Sequence, residues 1–160
     1  MTTIQVHLQV NDRPYAVSTS ASRTLLEVLR EDLGLTGVKD ACGGEGECGA
    51  CTVIMDGSAV NSCLVLIGQA EGSQIGTIEG LAKDGELHPI QRAFVEAGAV
   101  QCGYCTPGAI LASKALVEKN LDPSDDEIRE ALAGNLCRCT GYSKMLAAVH
   151  LAAEVMNHGD

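Results

Sequence analysis

Cysteine is the residue type here whose number and spacing can carry chemistry. Eight are present, in two unlike groups of four. Cys42, Cys48, Cys51 and Cys63 form a C-x5-C-x2-C-x11-C run; Cys102 and Cys105 form a C-x2-C pair, and Cys137 and Cys139 a C-x-C pair, 31 residues apart. Three thiolates on a short Gly-rich loop with a fourth further along is close to the plant-type spacing for a [2Fe-2S] cluster. Soft thiolate sulfur suits iron in a sulfide-bridged core. Two such groups in one chain imply two clusters, and two clusters imply a route for electrons.

Four thiolates in one small volume need positive partial charge nearby. Turns at Gly43, Gly44, Gly46 and Gly49 can aim backbone N–H groups at the first group of sulfurs, as anion-binding nests do. Cys102 and Cys105 lie just before a helix that starts near Pro107, whose N-terminal N–H groups and dipole favour negative charge. Cys137 and Cys139 cannot both face one partner from a helix, because residues two apart do not share a face. Gly134 and Gly141 flank them, so an irregular loop is expected there, brought beside Cys102 and Cys105 by helix hairpins.

Other cysteine chemistries fit less well. A disulfide scaffold is more cysteine-rich than 5% and accompanies a secretory signal, which Met1–Gln5 lacks. Zinc would suit the C-x2-C pairs, but C-x-C and C-x5-C-x2-C depart from zinc-finger spacing. A thioredoxin-like redox pair at Cys102–Cys105 lacks its βαβ setting. His7, His88, His150 and His158 form no metal-spaced pair and read as surface or packing residues. Asp125, Asp126 and Glu127 read as the acidic first turn of a helix. No nucleotide fingerprint, Ser/His/Asp set or paired-carboxylate arrangement is present, so no catalytic residue is assigned.

The elements that must position these cysteines change character near residue 80. Before it, Ile4, Val6, Leu8 and Val10 alternate with polar residues as a half-buried strand, Asn11 to Pro14 supply a turn, and Tyr15–Val17 can return as a hairpin. Thr24 to Arg30 reads as a helix stopped near Gly34, Thr52–Met55 as a strand ending at the Asp56-Gly57 turn, and Ile75–Glu79 as a further strand. After it, helices are expected from Pro89 to Gly98, from Gly108 to Lys119, from the Ser124 capping box to Gly134, and from Tyr142 to Met156. The fold class is therefore α+β: residues 1–79 as a small sheet domain with one helix, then 80–160 as an all-α four-helix bundle, each with one cysteine group.

Length allows one ordinary domain or two of about 75–80 residues. With no Trp, one Phe (Phe94) and three Tyr, each core would be thin, and small thin cores gain from a metal staple. Twenty-one acidic against 11 basic residues give a net charge of −10 without a Lys/Arg stripe, which argues against nucleic acid as a partner. No apolar run approaches the roughly 18 residues of a membrane span. A cytoplasmic protein with reduced thiols is expected.

Three motifs then become recognisable: Cys48-Gly49-Ala50-Cys51-Thr52-Val53, Gln101-Cys102-Gly103-Tyr104-Cys105-Thr106-Pro107-Gly108, and Gly134-Asn135-Leu136-Cys137-Arg138-Cys139-Thr140-Gly141-Tyr142. In this order, over about residues 4–153, the chain resembles the small iron–sulfur subunit of the molybdenum hydroxylases, the xanthine dehydrogenase/aldehyde oxidase family. The resemblance implies a ferredoxin-like β-grasp domain carrying one [2Fe-2S] cluster and a four-helix bundle carrying the other. It implies a heterotrimer with a large subunit holding molybdopterin, in its cytosine dinucleotide form, and a medium subunit holding FAD. By motif match, Gln101 and Cys139 approach the pterin of the large subunit. The alternative is a free-standing two-cluster ferredoxin or redox sensor. In one respect the chain departs from the family: five residues, not four, separate Cys42 from Cys48, an insertion that a bulge within Gly43–Glu47 can absorb.

Overall fold

The computed structural model describes residues 2–158. Strict alternation of apolar and polar residues produces β1 (Thr3–Val10), with Val6, Leu8 and Val10 buried and the residues between them exposed. Asn11 and Asp12, both at positive φ, form the two-residue turn into β2 (Arg13–Ser20), which pairs antiparallel with β1 along its whole length. Pro14 lies inside β2. It is tolerated there because β2 is an edge strand, where a missing N–H breaks no ladder.

A Thr24–Glu27 capping box opens α1 (Leu25–Glu27), which widens into a π-helical turn over Val28–Asp32. An irregular segment carries Cys42, Cys48 and Cys51 into β3 (Thr52–Met55). Asp56-Gly57, again both at positive φ, turns the chain into β4 (Ser58–Asn61), and β5 (Gln74–Gly76) follows. The strand order is β2-β1-β5-β3-β4, with β1 and β5 parallel and the other pairs antiparallel. Two expectations are corrected. β4 is an additional strand, with too few apolar residues to announce itself, and it exists because β3 offers it a ladder. β5 stops at Gly76: from Thr77 the backbone turns away, with Thr77 N–H given to Asn11 Oδ1 at 2.8 Å and a 3-10 turn at Ile78–Gly80.

Five helices are present among the described residues: α1 beside the sheet, then α2 (Pro89–Glu96), α3 (Thr106–Val117), α4 (Asp125–Leu132) and α5 (Ser143–His158). His88 caps α2 by accepting the Ile90 N–H on Nδ1, and Ser124 and Glu127 form the predicted capping box on α4. Two apolar cores result. Val6, Leu8, Leu25, Leu29, Val53, Ile67 and Ile75 belong to the first, and Ile90, Phe94, Ile110, Ile128, Met145 and Val149 to the second. The cysteines divide in the same way. Cys51 and Cys63 are part of the first core, while Cys105 and Cys137 pack against the second. No helix among the described residues is long and apolar enough to cross a membrane.

Candidate metal centres

The first cysteine group is shaped by a loop without regular structure that is nonetheless heavily bonded. Gly43 N–H is held by Asp40 Oδ1 at 3.0 Å, Gly46 C=O by Asn61 Nδ2 at 2.8 Å, and Gly49 C=O by the Thr52 hydroxyl at 2.7 Å. Ser62 closes the far side, its hydroxyl donating to Cys51 C=O at 2.7 Å. Cys42 then lies against Cys48, and Cys51 against Cys63.

The loop aims N–H groups at sulfur, as its glycines suggested. The Glu47 N–H, then the Cys48 thiol, with the N–H groups of Cys48 and Gly46, draw the Cys42 thiol down to about 7. Cys63 goes the other way: burial pushes it up to about 12, and the neighbouring Cys51 adds to the rise. With Cys51 and Cys63 only 3% and 6% exposed, their thiolates need a cation to offset lost hydration. A bound metal ionises such thiols outright.

The second group is assembled from two loops at one end of the helical half. Cys102 and Cys105 precede α3, and Cys137 and Cys139 occupy the irregular segment between α4 and α5. Cys139 Sγ lies 3.6 Å from Cys102 Sγ. A tetrahedral metal with bonds of about 2.3 Å to sulfur places two sulfurs about 3.8 Å apart, so the separation fits two ligands of one ion. Cys105 and Cys137 form the other, deeper pair. Burial raises Cys105, at the N-cap of α3, to about 12, and the neighbouring Cys137 adds to the rise. At Cys137 burial also pushes upward, but the Thr140 hydroxyl at 3.1 Å and the N–H groups of Thr140 and Cys139 bring it down to about 7.

Among the described residues, no three His, Cys, Asp or Glu side chains close on a single ion. The eight sulfurs stand as four pairs, two pairs to a group, and two thiolates per iron is the ligand set of a [2Fe-2S] cluster. The residues therefore fit the group that the spacing suggested. Cys102 and Cys139 are exposed, and so is Gln101 beside them, whereas Cys51 and Cys63 are buried.

The two groups are joined. Leu136 N–H donates to Cys48 C=O at 2.9 Å, linking the residue before Cys137 to a cysteine of the first group. Beside it, Asn135 Nδ2 donates to Gly49 C=O at 2.9 Å and lies 3.1 Å from Thr52 Oγ1. The Tyr142 hydroxyl accepts Cys137 N–H at 2.7 Å and faces Asn135 C=O at 3.4 Å. The Tyr104 hydroxyl bonds Asp40 C=O across the same seam. Sequence reasoning assigned no role to Asn135, Leu136 or Tyr142. Asn135 has no local signal, because its side-chain partners lie 86 and 83 residues away.

The histidines lie away from both groups: His7 pairs with Glu71, His150 with Asp125, and His88 caps α2. Asp125, Asp126 and Glu127 occupy the first turn of α4, as expected.

Comparison with known proteins agrees with this geometry. Residues 8–78 match the family model described as a 2Fe-2S iron-sulfur cluster binding domain, and residues 77–150 match the [2Fe-2S] binding domain. The nicotinate dehydrogenase small FeS subunit of Eubacterium barkeri is 55% identical over 154 residues, covering 96% of this chain and 98% of that protein. The chain belongs to the iron–sulfur subunits of the molybdenum hydroxylases. Another member, the xanthine dehydrogenase iron-sulfur-binding subunit of Escherichia coli O157:H7, is 48% identical, with 92% of both chains covered. Among solved structures, a chain of quinoline 2-oxidoreductase from Pseudomonas putida 86 superposes with a TM-score of 0.93 at 39% identity, over 98% of each chain. The sheet half is accordingly ferredoxin-like in an α+β fold, and the family's work is oxidoreduction.

Proposed function

We propose that this chain is the electron-transfer subunit of a multi-subunit molybdenum hydroxylase, working between a molybdopterin site on a large subunit and FAD on a medium subunit. Residues 1–79 and 80–160 are its two domains, the second a four-helix bundle formed by α2 to α5. Cys42, Cys48, Cys51 and Cys63 hold one [2Fe-2S] cluster; Cys102, Cys105, Cys137 and Cys139 hold the other. Those clusters supply one-electron chemistry, which splits the two-electron oxidation of a substrate C–H or aldehyde group into single steps.

The observation that carries this reading is the 2.9 Å hydrogen bond from Leu136 N–H to Cys48 C=O. It gives the two cysteine groups a short bonded connection through the backbone of this chain. The exposure of Cys139, Cys102 and Gln101 supports the helical half as the end that docks on the large subunit, with Gln101 and Cys139 reaching the pterin of a molybdopterin cytosine dinucleotide. The burial of Cys51 and Cys63 shields the inner half of the first group from water. The chain orients and insulates; substrate recognition belongs to the large subunit. A cytoplasmic setting, where thiols stay reduced, suits all eight cysteines.

Metal analysis of the protein from its native host, with co-purifying subunits retained, tests the proposal. About four irons and four sulfides per chain, with molybdenum in a larger partner, is the expected result. Zinc without sulfide would overturn the electron-transfer reading. Iron and sulfide in a chain that never co-purifies with molybdenum would leave a free-standing carrier instead.

A further inference from the structure

Three distant parts of the chain, at Gly49–Thr52, Gly108 and Gly134–Asn135, meet at one point between the halves. Gly49 C=O receives the Thr52 hydroxyl at 2.7 Å and Asn135 Nδ2 at 2.9 Å. Gly108, in the first turn of α3, approaches so closely that a Cβ there would lie 2.4 Å from Gly49 O and 3.1 Å from Asn135 Nδ2. From the other side, a Cβ on Gly49 would lie 2.2 Å from Gly134 O. Asn135 is 6% exposed and sits at the centre of this contact. Its side chain grips the residue after Cys48, its C=O faces the Tyr142 hydroxyl that accepts Cys137 N–H, and the next residue donates the amide that reaches Cys48.

We infer that Asn135 is a positioning residue that locks the two cysteine loops at one separation and orientation, and so sets the coupling between the two redox centres. The reason is geometric. The Tyr104–Asp40 bond holds the Cys102–Cys105 loop, but the Leu136–Cys48 hydrogen bond alone lets the Cys137–Cys139 loop pivot about it, because one bond fixes a distance but little orientation. Asn135 adds two contacts one residue away, at Gly49 and Thr52, both flanked by cysteines of the first group. Close apposition of glycine backbones at Gly49, Gly108 and Gly134 leaves no slack for the joint to open. Loss of this buried amide leaves Gly49 C=O and the Thr52 hydroxyl bonded only to each other, with nothing from the α4–α5 segment holding either.

This inference deepens the proposed relay and rests on it for its consequence, but the joint can be read separately. Two variants of the full chain, in complex with its co-purifying subunits, probe the point from opposite sides. Asn135→Ala removes the amide, and Gly108→Ala pushes a methyl group against Gly49 C=O. Ile128→Ala, within the second core and not among the residues that contact Gly49, is the control for general destabilisation. Hydrogen exchange at the Leu136 amide reads the joint with or without iron: exchange becomes faster in both seam variants at temperatures where Ile128→Ala leaves it protected. Low-temperature electron paramagnetic resonance of the fully reduced complex reads the coupling. Each reduced centre carries an unpaired spin, and the mutual splitting falls steeply with separation. The splitting shrinks or smears in both seam variants at unchanged iron content, and Ile128→Ala retains it.

Leu136 protection unchanged in Asn135→Ala would overturn the joint, whatever the metal content. Wild-type splitting in both seam variants at full iron content would reduce Asn135 to a stability residue and overturn its positioning role. A wild-type chain without iron and sulfide would instead sink the relay reading while the exchange result still judges the joint. If Asn135→Ala does not accumulate, Gly108→Ala decides alone.

Discussion

Asn135 Nδ2 lies 2.9 Å from Gly49 O although 86 residues separate them in the chain. The contact joins the segment between α4 and α5 to the loop before β3, so two cysteine groups that are remote in sequence become neighbours across one seam. Wherever backbone atoms meet this closely, the absence of a side chain is itself a structural requirement.

Gly49→Ala tests the seam by size. Gly49 has φ +64, and its Cβ would fall 2.2 Å from Gly134 O, against backbone that cannot swing aside. Left-handed strain of about 1–2 kcal/mol and overpacking of about 1–3 kcal/mol add up to a severe loss. Gly57→Ala, at φ +80 with nothing within 4 Å, bears the strain alone. Thermal melts should show the Gly49 variant losing at least twice the stability of the Gly57 variant, together with iron. Equal losses would mean that the seam yields.

Cys139→Ser separates the two groups chemically. Iron should fall from about four to about two per chain, because only the second group loses a ligand. The absorption and resonance of the first cluster should persist, and electron flow from substrate to acceptor should stop. Sustained turnover in that variant would refute the relay.

Independence of the two cores can be read by additivity. Phe94 is fully buried in the second core and Val6 is 1% exposed in the first, and the two buried clusters share no residue. Phe94→Ala should cost about 3–5 kcal/mol. With Val6→Ala the losses should sum to within about 0.5 kcal/mol, as for distant sites without shared partners. A larger coupling measured by denaturant unfolding would contradict two domains divided near residue 80.

Acid should weaken the α2 cap. Burial, with the Lys114 charge beside it, holds His88 below its ordinary 6.5, while Glu118 pulls the other way and Lys83 adds to the lowering. Its Nδ1 must stay unprotonated to accept the Ile90 N–H. The unfolded chain therefore binds this proton more readily, so the contribution of His88 is present above pH 6.5 and is lost as pH falls from 6.5 through the depressed folded value. Asp56 and Glu127 are lowered by backbone N–H bonds, from Gln74 and Ser124 respectively, and add their losses only below their ordinary carboxylate range. Melting temperature between pH 7 and pH 5 should decline less in His88→Asn, which keeps a capping acceptor without a titrating ring. Parallel declines in the two proteins would dismiss His88 as the cause.

Much of the local structure was legible because local physics sets it. Alternation at Ile4 to Val10 dictated a half-buried strand, Asp56-Gly57 a tight hairpin, and Ser124 with Glu127 a capped helix start, each from neighbours within a few residues. The cysteine spacings carried the metal chemistry, since ligand identity and spacing are properties of the chain itself. Tertiary structure alone decided the rest. β4 exists only because β3 gives its weakly apolar Ser58–Asn61 a partner, and β5 ends at Gly76 because Asn11, 66 residues earlier, captures the Thr77 N–H. The parallel pairing of β1 with β5, the partnering of Cys102 with Cys139 and of Cys105 with Cys137 inside their group, and the Asn135 joint likewise depend on which distant surfaces meet. Hydrogen bonds and close backbone contacts of that range leave no periodicity in the sequence, because nothing local changes when their partner is absent.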